Sequence, residues 1–232
     1  MTKKKLKIII LGLSIGIIIS IITISTTVFA SDSNNLSSNN LINKVNEQIS
    51  QNIVISDNKI QLKNIDDLLK NIDDSTIDKI NELSISQGID RTYTKKEFIK
   101  LYEDSISNLN KQINDGKLEM LNDGSIIESN DDSFYLQGGS TFDKRYWWGV
   151  SRWKNTSDAD TWSYNLNRAS ILNTGVATLA GIVFGGLGSI PNALTSAYTS
   201  ALSNEVSYKN SRTTRGIVAD INWSLIYSVY SQ

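Results

Sequence analysis

No cysteine and no histidine occur anywhere in the 232 residues, and Pro191 is the single proline. Each absence removes a class of chemistry. Without histidine there is no Ser-His-Asp triad, no Cys-His dyad and no His-ligated zinc. Without cysteine there is no disulfide, so any fold outside the cytoplasm rests on packing alone. The glycine cluster GIVFGGLG at 181–188 lacks the Lys and the preceding strand of a phosphate loop. Asp131 and Asp132 lack the spacing of a calcium loop. Asp143, Asp158, Asp160, Glu205 and Asp220 leave a carboxylate-only mechanism open in principle, but helix caps and surface ion pairs account for such residues. The expectation is a protein that is not an enzyme and needs no cofactor or metal.

What is present begins with a targeting pattern. Lys3, Lys4, Lys5 and Lys7 precede an apolar run from Ile8 to Ile24, and VFA-S follows with Val28 and Ala30 as small exit residues. A basic start, an apolar middle and a small-residue exit make a secretory signal, so residues 1–30 are read as cleaved between Ala30 and Ser31. The apolar run is almost long enough to span a bilayer. The alternative is therefore a chain anchored to the outer face of the cytoplasmic membrane by residues 8–24.

Past that segment the chain has two characters. Residues 31–138 carry 19 acidic and 11 basic side chains, and residues 139–232 carry 5 and 8. All five tryptophans lie in the second stretch. Residues 31–40, SDSNNLSSNN, read as a disordered spacer. Residues 41–120 read as an acidic, mainly helical region, pro-like in that it can mask the cationic half. NIVISDNKIQL alternates about Asp57–Asn58 as a hairpin does, and Ser75 is placed as the cap of a short helix. TKKEFIKLYEDSISNLNKQINDG is the firmest helix, with Thr94 as N-cap, Glu97 completing a capping box and Gly116 ending it. Residues 121–140 read as a flexible linker whose Gly138–Gly139 is open to a protease. Residues 141–232 read as a Trp-rich cationic domain. The fold class expected is α+β: an acidic helical region, a flexible linker, then a helical hairpin with an antiparallel strand pair. The pair joins Tyr146–Lys154 to an alternating terminal strand, Ile217–Val229. Asp158 or Asp160 is expected to cap a helix beginning near Thr161.

Between those strands, Ala169 to Asn204 is 36 residues without a charge. Ala177, Gly181 and Gly185 repeat every four residues, as do Ala193, Ala197 and Ala201, so two helices with small-residue ridges can approach closely. Gly185, Gly186, Leu187 and Gly188 form the tip, and Pro191 sits early in the second arm. An uncharged hairpin of this kind suits bilayer insertion, with Trp147, Trp148, Trp153, Arg145 and Arg152 at an anionic interface. The same ridges equally pack two helices inside a soluble fold; a membrane protein exposes an apolar patch around Val183 and Leu187, whereas a binding module buries both.

The segment GGSTFDKRYWWGVSRWKNTSDADTWSYNLNRA, the hairpin FGGLGSIPNALTSAY and the ending VSYKNSRTTRGIVADINWSLIYSVYSQ resemble secreted bacteriocin-like proteins of Gram-positive bacteria. The resemblance covers about the last 95 residues. It implies antimicrobial activity and assigns no functional residues. The expected function is a secreted bacteriocin-like or membrane-interacting protein, and the alternative is a secreted or cell-surface binding module with a packed hairpin. The partners implied are a bacterial membrane or cell-envelope target and an immunity or processing protein. A net charge of +3 on the second half is too small to expect nucleic acid.

Overall fold

The structure is a computed structural model that describes residues 31–129, 135–136, 139–172, 175–185 and 194–232. The targeting segment with Ala30, and the hairpin tip with Gly186, Leu187, Gly188 and Pro191, lie outside the described residues. The chain is α+β, as its patterning implied.

The first half opens with α1 (Ser31–Ser50). Its second half carries Leu41, Ile42, Val45 and Ile49 on one face, and Val45 and Ile49 are buried. The spacer expected at 31–40 is instead the first half of this helix. Each residue added to an existing helix gains a bond without a new nucleation cost, so a packed C-terminal half can carry a polar extension. A hairpin follows, β1 (Ile53–Ser56) and β2 (Lys59–Leu62). Asp57 and Asn58 both hold left-handed φ, at 50° and 56°, the geometry that a two-residue turn between twisted strands requires.

Next come α2 (Ile65–Asn71), α3 (Asp74–Ser86) and α4 (Lys95–Asn114). The cap of α3 is Asp73 rather than Ser75. The capping box of α4 forms as expected between Thr94 and Glu97, and the Thr94 amide and hydroxyl hold the Glu97 carboxyl below its usual pKa.

The segment expected as a linker contributes to the main sheet. β3 (Leu118–Met120) and β4 (Ile126–Glu128) form a hairpin, and Ile126 is fully buried. A short ribbon, β5 (Tyr135–Leu136) with β6 (Gly139–Ser140), precedes β7 (Phe142–Tyr146) and β8 (Gly149–Lys154). Helices α5 (Thr156–Ile171), α6 (Val176–Phe184) and α7 (Ser196–Asn210) follow, then β9 (Ile217–Asn222) and β10 (Tyr227–Ser231).

The six-stranded sheet is antiparallel throughout, in the order β10-β9-β8-β7-β4-β3. β8 and β9 lie side by side with Val150 opposite Ile221 and Trp153 opposite Val218. The terminal segment is a hairpin rather than one strand. The Asn222 side chain accepts from the amide and hydroxyl of Ser224, and Leu225 takes a φ of 71° to reverse the chain. Alternation continues through the turn because Trp223 and Leu225 both point into the core.

The helical hairpin expected at 169–204 packs differently. α7 lies along α5, where Ser163 and Ser203 exchange hydrogen bonds, each hydroxyl donating to the other's carbonyl. A Cβ at Gly181 would meet no atom within 4 Å, whereas Ala197 packs against Gly88. The two small-residue ridges therefore do not meet at Gly181 and Ala197. α5 begins at Thr156 with Asn155 as its cap, five residues earlier than its pattern suggested.

Candidate functional site

Strand alternation divides the main sheet into two faces. One face, with Arg145, Val150, Arg152, Ala219, Ile221 and Val229, is covered by α5, α6 and α7. The other presents Phe142, Lys144, Tyr146, Ser151, Trp153, Asp220 and Tyr230 toward α1 and open space.

On the covered face the arginines form a closed network. Arg145 is 0% exposed and Arg152 is nearly so. Arg152 donates to the carbonyls of Ile182 and Val183 at the end of α6, and Trp162 Nε1 donates to the Ile182 carbonyl at 2.9 Å. Arg145 donates to the Gly185 carbonyl and to Glu128 at 3.0 Å. These cations meet the partial negative charge of a helix C-terminus and its orphan carbonyls. Arg152 also lies over the Trp162 ring, 4.7 Å from its centroid. Asp143 closes the network by accepting from Arg152 at 3.0 Å and Lys154 at 2.9 Å. Burial opposes its charge, but the two cations outweigh that and hold its carboxyl below the usual range. Lys154 is lowered, chiefly by burial. Arg145 and Arg152 thus face inward, and the expected interfacial role is replaced by capping of α6. Gly185, expected as part of a tip, is the left-handed cap residue at φ 73°. A Cβ there would come within 2.8 Å of Asp143 Oδ2.

The tryptophans divide. Trp147 turns to the N-terminal half, its ring 6.2 Å from that of Tyr102, while its carbonyl accepts from Trp223 Nε1. Trp148 and Trp153 belong to the open face. Tyr146 and Trp148 stack with centroids 5.1 Å apart and planes 6° apart, and Phe142 and Trp153 stack at 5.1 Å and 15°.

Between the two stacked pairs lies a cavity of about 260 Å³, reaching Lys144, Ser151, Asp220 and Tyr230. A second cavity of about 420 Å³ adjoins it, shares Trp148, Asp220 and Tyr230, and takes its far wall from Ile42, Asn43 and Asn46 of α1. The two form one groove with Asp220 at the join. Asp220 Oδ1 accepts from the Ser151 hydroxyl at 2.6 Å and Oδ2 from the Tyr230 hydroxyl at 2.9 Å. Burial raises its pKa, and those two hydrogen bonds oppose the rise. Burial and the Asp220 charge raise Tyr230 in turn, so its proton stays on the bond to Asp220.

No protein-family model matches this sequence, and no curated protein or solved structure shows significant similarity to it.

Among the carboxylates considered for catalysis, Asp143 is neutralised by Arg152 and Lys154, Asp158 accepts from Thr141 and Asn155, and Asp160 accepts from Asn210. Glu205 lies 3.9 Å from Lys209, and Asp220 lines both cavities of the groove. Sequence pattern alone does not assemble the groove, although its signal is present. Phe142, Lys144 and Tyr146 alternate on β7, Ser151 and Trp153 on β8, and Asp220 interrupts an apolar strand on its polar side. The strand register sets these side by side, and the pattern within each strand does not specify it.

Proposed function

We propose that this chain is an exported, non-enzymatic binding module of the bacterial cell envelope, and that the groove around Asp220 holds its ligand. One observation carries the reading: a concave, aromatic-lined groove with a single partly buried carboxylate at its centre. Such concavities, mostly apolar with a few convergent polar groups, are where ligands bind. The burial of Val183 supports the binding reading over bilayer insertion of α6. Among the described residues, no helix is long and apolar enough to cross a membrane.

The test is co-sedimentation of the full-length chain with purified Gram-positive cell walls. The wild type is expected in the pellet and Trp148→Ala in the supernatant, with both folded by circular dichroism. Equal sedimentation of the two proteins would remove the groove from the reading.

The bacteriocin-like, membrane-active reading has one observation in its favour. Ile171 and Leu172 at the α5–α6 corner are 74% and 59% exposed, and Val176 is exposed beside them. Dye release from anionic liposomes separates the two readings. Release that is lost in Leu172→Lys supports a membrane target, and intact vesicles with wall binding support the module.

A further inference from the structure

An isolated carboxylate in a partly dry groove is an electrostatic demand. Burying an ion costs free energy that a paired counter-charge recovers. Asp143, on the other face of the same sheet, shows that balance with two cations at 3.0 Å and 2.9 Å. Asp220 has two neutral donors instead, the hydroxyls of Ser151 and Tyr230. Among the described residues no cation lies within salt-bridge distance of it. Lys144 is nearest by register, since Lys144 faces Ser151 and Ser151 faces Asp220 across adjacent strands. Its ammonium is 3.6 Å from Asp123, which meets its charge, while the residue also lines the smaller cavity. Each oxygen of Asp220 accepts one hydrogen bond and retains a free lone pair.

The surroundings add a second demand of the same sign. Tyr146, Trp148 and Tyr230 all border the cavity that Asp220 enters. Aromatic faces carry negative electrostatic potential and attract cations, most strongly Trp and most of all where water is excluded. A metal ion is poorly served here. No group of three or more His, Cys, Asp or Glu side chains that could hold one occurs among the described residues, and aromatic carbons offer a hard cation no ligand oxygen. An organic cation fits both demands, with its charge near the carboxylate and its alkyl surface against the rings.

We propose that the groove recognises a ligand through an organic ammonium group, seated at Asp220 and walled by Tyr146, Trp148 and Tyr230. This rests on the groove being the binding site and adds the chemical class of what it binds. The 420 Å³ portion beside α1 then takes the rest of the ligand.

Choline and 3,3-dimethyl-1-butanol have nearly the same shape and differ in charge, so the unmodified full-length chain tests the inference without a mutation. Tryptophan fluorescence is followed as each is added, with sodium chloride matching the ionic strength. Choline is expected to saturate, with an affinity about tenfold or more above the neutral isostere. Ethanolamine in the same assay separates a primary from a quaternary ammonium, and saturation by either supports the proposal. Asp220→Asn keeps an acceptor for one of the two hydroxyls and turns an amide N–H donor toward the oxygen of the other, with the side-chain volume unchanged. It is expected to bring ammonium binding down to the level of the isostere and to leave the isostere unchanged. Equal binding of choline, ethanolamine and the isostere overturns the ammonium inference while leaving the groove as a site. Saturable ammonium binding that survives Asp220→Asn also overturns it, because the charge is then met elsewhere. Absence of saturable binding by either ammonium overturns it too, and cell-wall sedimentation of Trp148→Ala then decides the groove separately.

Discussion

Gly181 and Gly185 sit one helical turn apart on α6 and carry opposite constraints. Gly181 has helical φ and empty space where a Cβ would stand. Alanine there only reduces the freedom of the unfolded chain, so Gly181→Ala is expected to stabilise by about 0.5–1 kcal/mol. Gly185 combines a φ of 73° with a Cβ position 2.8 Å from Asp143 Oδ2. Gly185→Ala is expected to destabilise by about 1–3 kcal/mol and to loosen the Arg145–Arg152–Asp143 network. Urea denaturation of both variants checks the pair. The sequence marks both glycines as members of one spacing pattern. What separates them is the charged network beneath the end of α6, and the residues that build it come from β7 and β8.

Asp220 gives a prediction of definite sign. Its folded pKa is raised by burial above the ordinary carboxylate value. Its favourable contribution is therefore fully present below the unfolded pKa and lost as pH rises through the folded one. The groups that face it are the Ser151 and Tyr230 hydroxyls, with Lys144 and Tyr146 further out on the same sheet face. Asp220→Asn removes the titration, so the melting temperature of the variant should gain on the wild type as pH rises from below the ordinary carboxylate value, about 3.9, through the raised folded one. A difference that stays flat over that range would mean Asp220 is better solvated than its burial implies. Asp143 runs the other way, since its lowered pKa supplies stability above the ordinary range that is lost toward acid.

At the scale of elements, the β9–β10 hairpin shows which signals survive folding. The alternating apolar series over 217–229 is buried, but so are Val218, Asn222, Ser224, Ile226 and Ser228, and the series reads as one strand because the turn residues Trp223 and Leu225 are themselves buried. Trp223 is 1% exposed, lies 5.7 Å from the Phe184 ring and donates to the Trp147 carbonyl at 2.7 Å. Trp223→Ala is expected to cost about 3–5 kcal/mol by cavity formation, measured as a shift of the denaturation midpoint. An unchanged midpoint would place the ring outside the core. Hairpin β1–β2 and the capping box of α4 were legible because their causes are local, a two-residue turn and a four-residue reciprocal cap. Strand β4 was not. Three residues of it, Ile126–Glu128, sit in a polar stretch, and only pairing with β3 and β7 makes them a strand. The burial of Arg145 and Arg152 is not legible in sequence for the same reason, since the partners that make it tolerable lie on α6, β7 and, in Glu128, on β4.

The whole molecule ties its acidic and cationic halves together, although composition separates them at about residue 138. Strands β3 and β4 extend the sheet of the second half. The Gln87 side chain makes paired hydrogen bonds with the backbone of Tyr227, donating to its carbonyl and accepting from its amide. Asn222 donates to the Tyr102 hydroxyl, and Thr195 donates to the Gly88 carbonyl. Val45, Phe98, Leu109, Val150, Trp223 and Val229 belong to one continuous core. Gly139, expected in an open linker, packs its α-carbon against the Arg215 carbonyl, and Ser140 beside it exchanges hydrogen bonds with Gln232. A pro-region that is shed must leave a partner able to fold, whereas removal of residues 31–138 here exposes one side of β7 and strips the α1 wall from the groove. Residues 140–232 expressed alone are therefore expected to lack a cooperative thermal transition, to bind a dye for exposed apolar surface and to lose ligand binding. A sharp transition with wild-type near-ultraviolet circular dichroism would show instead that the cationic half folds by itself, and the acidic half would then return to the role of a detachable mask.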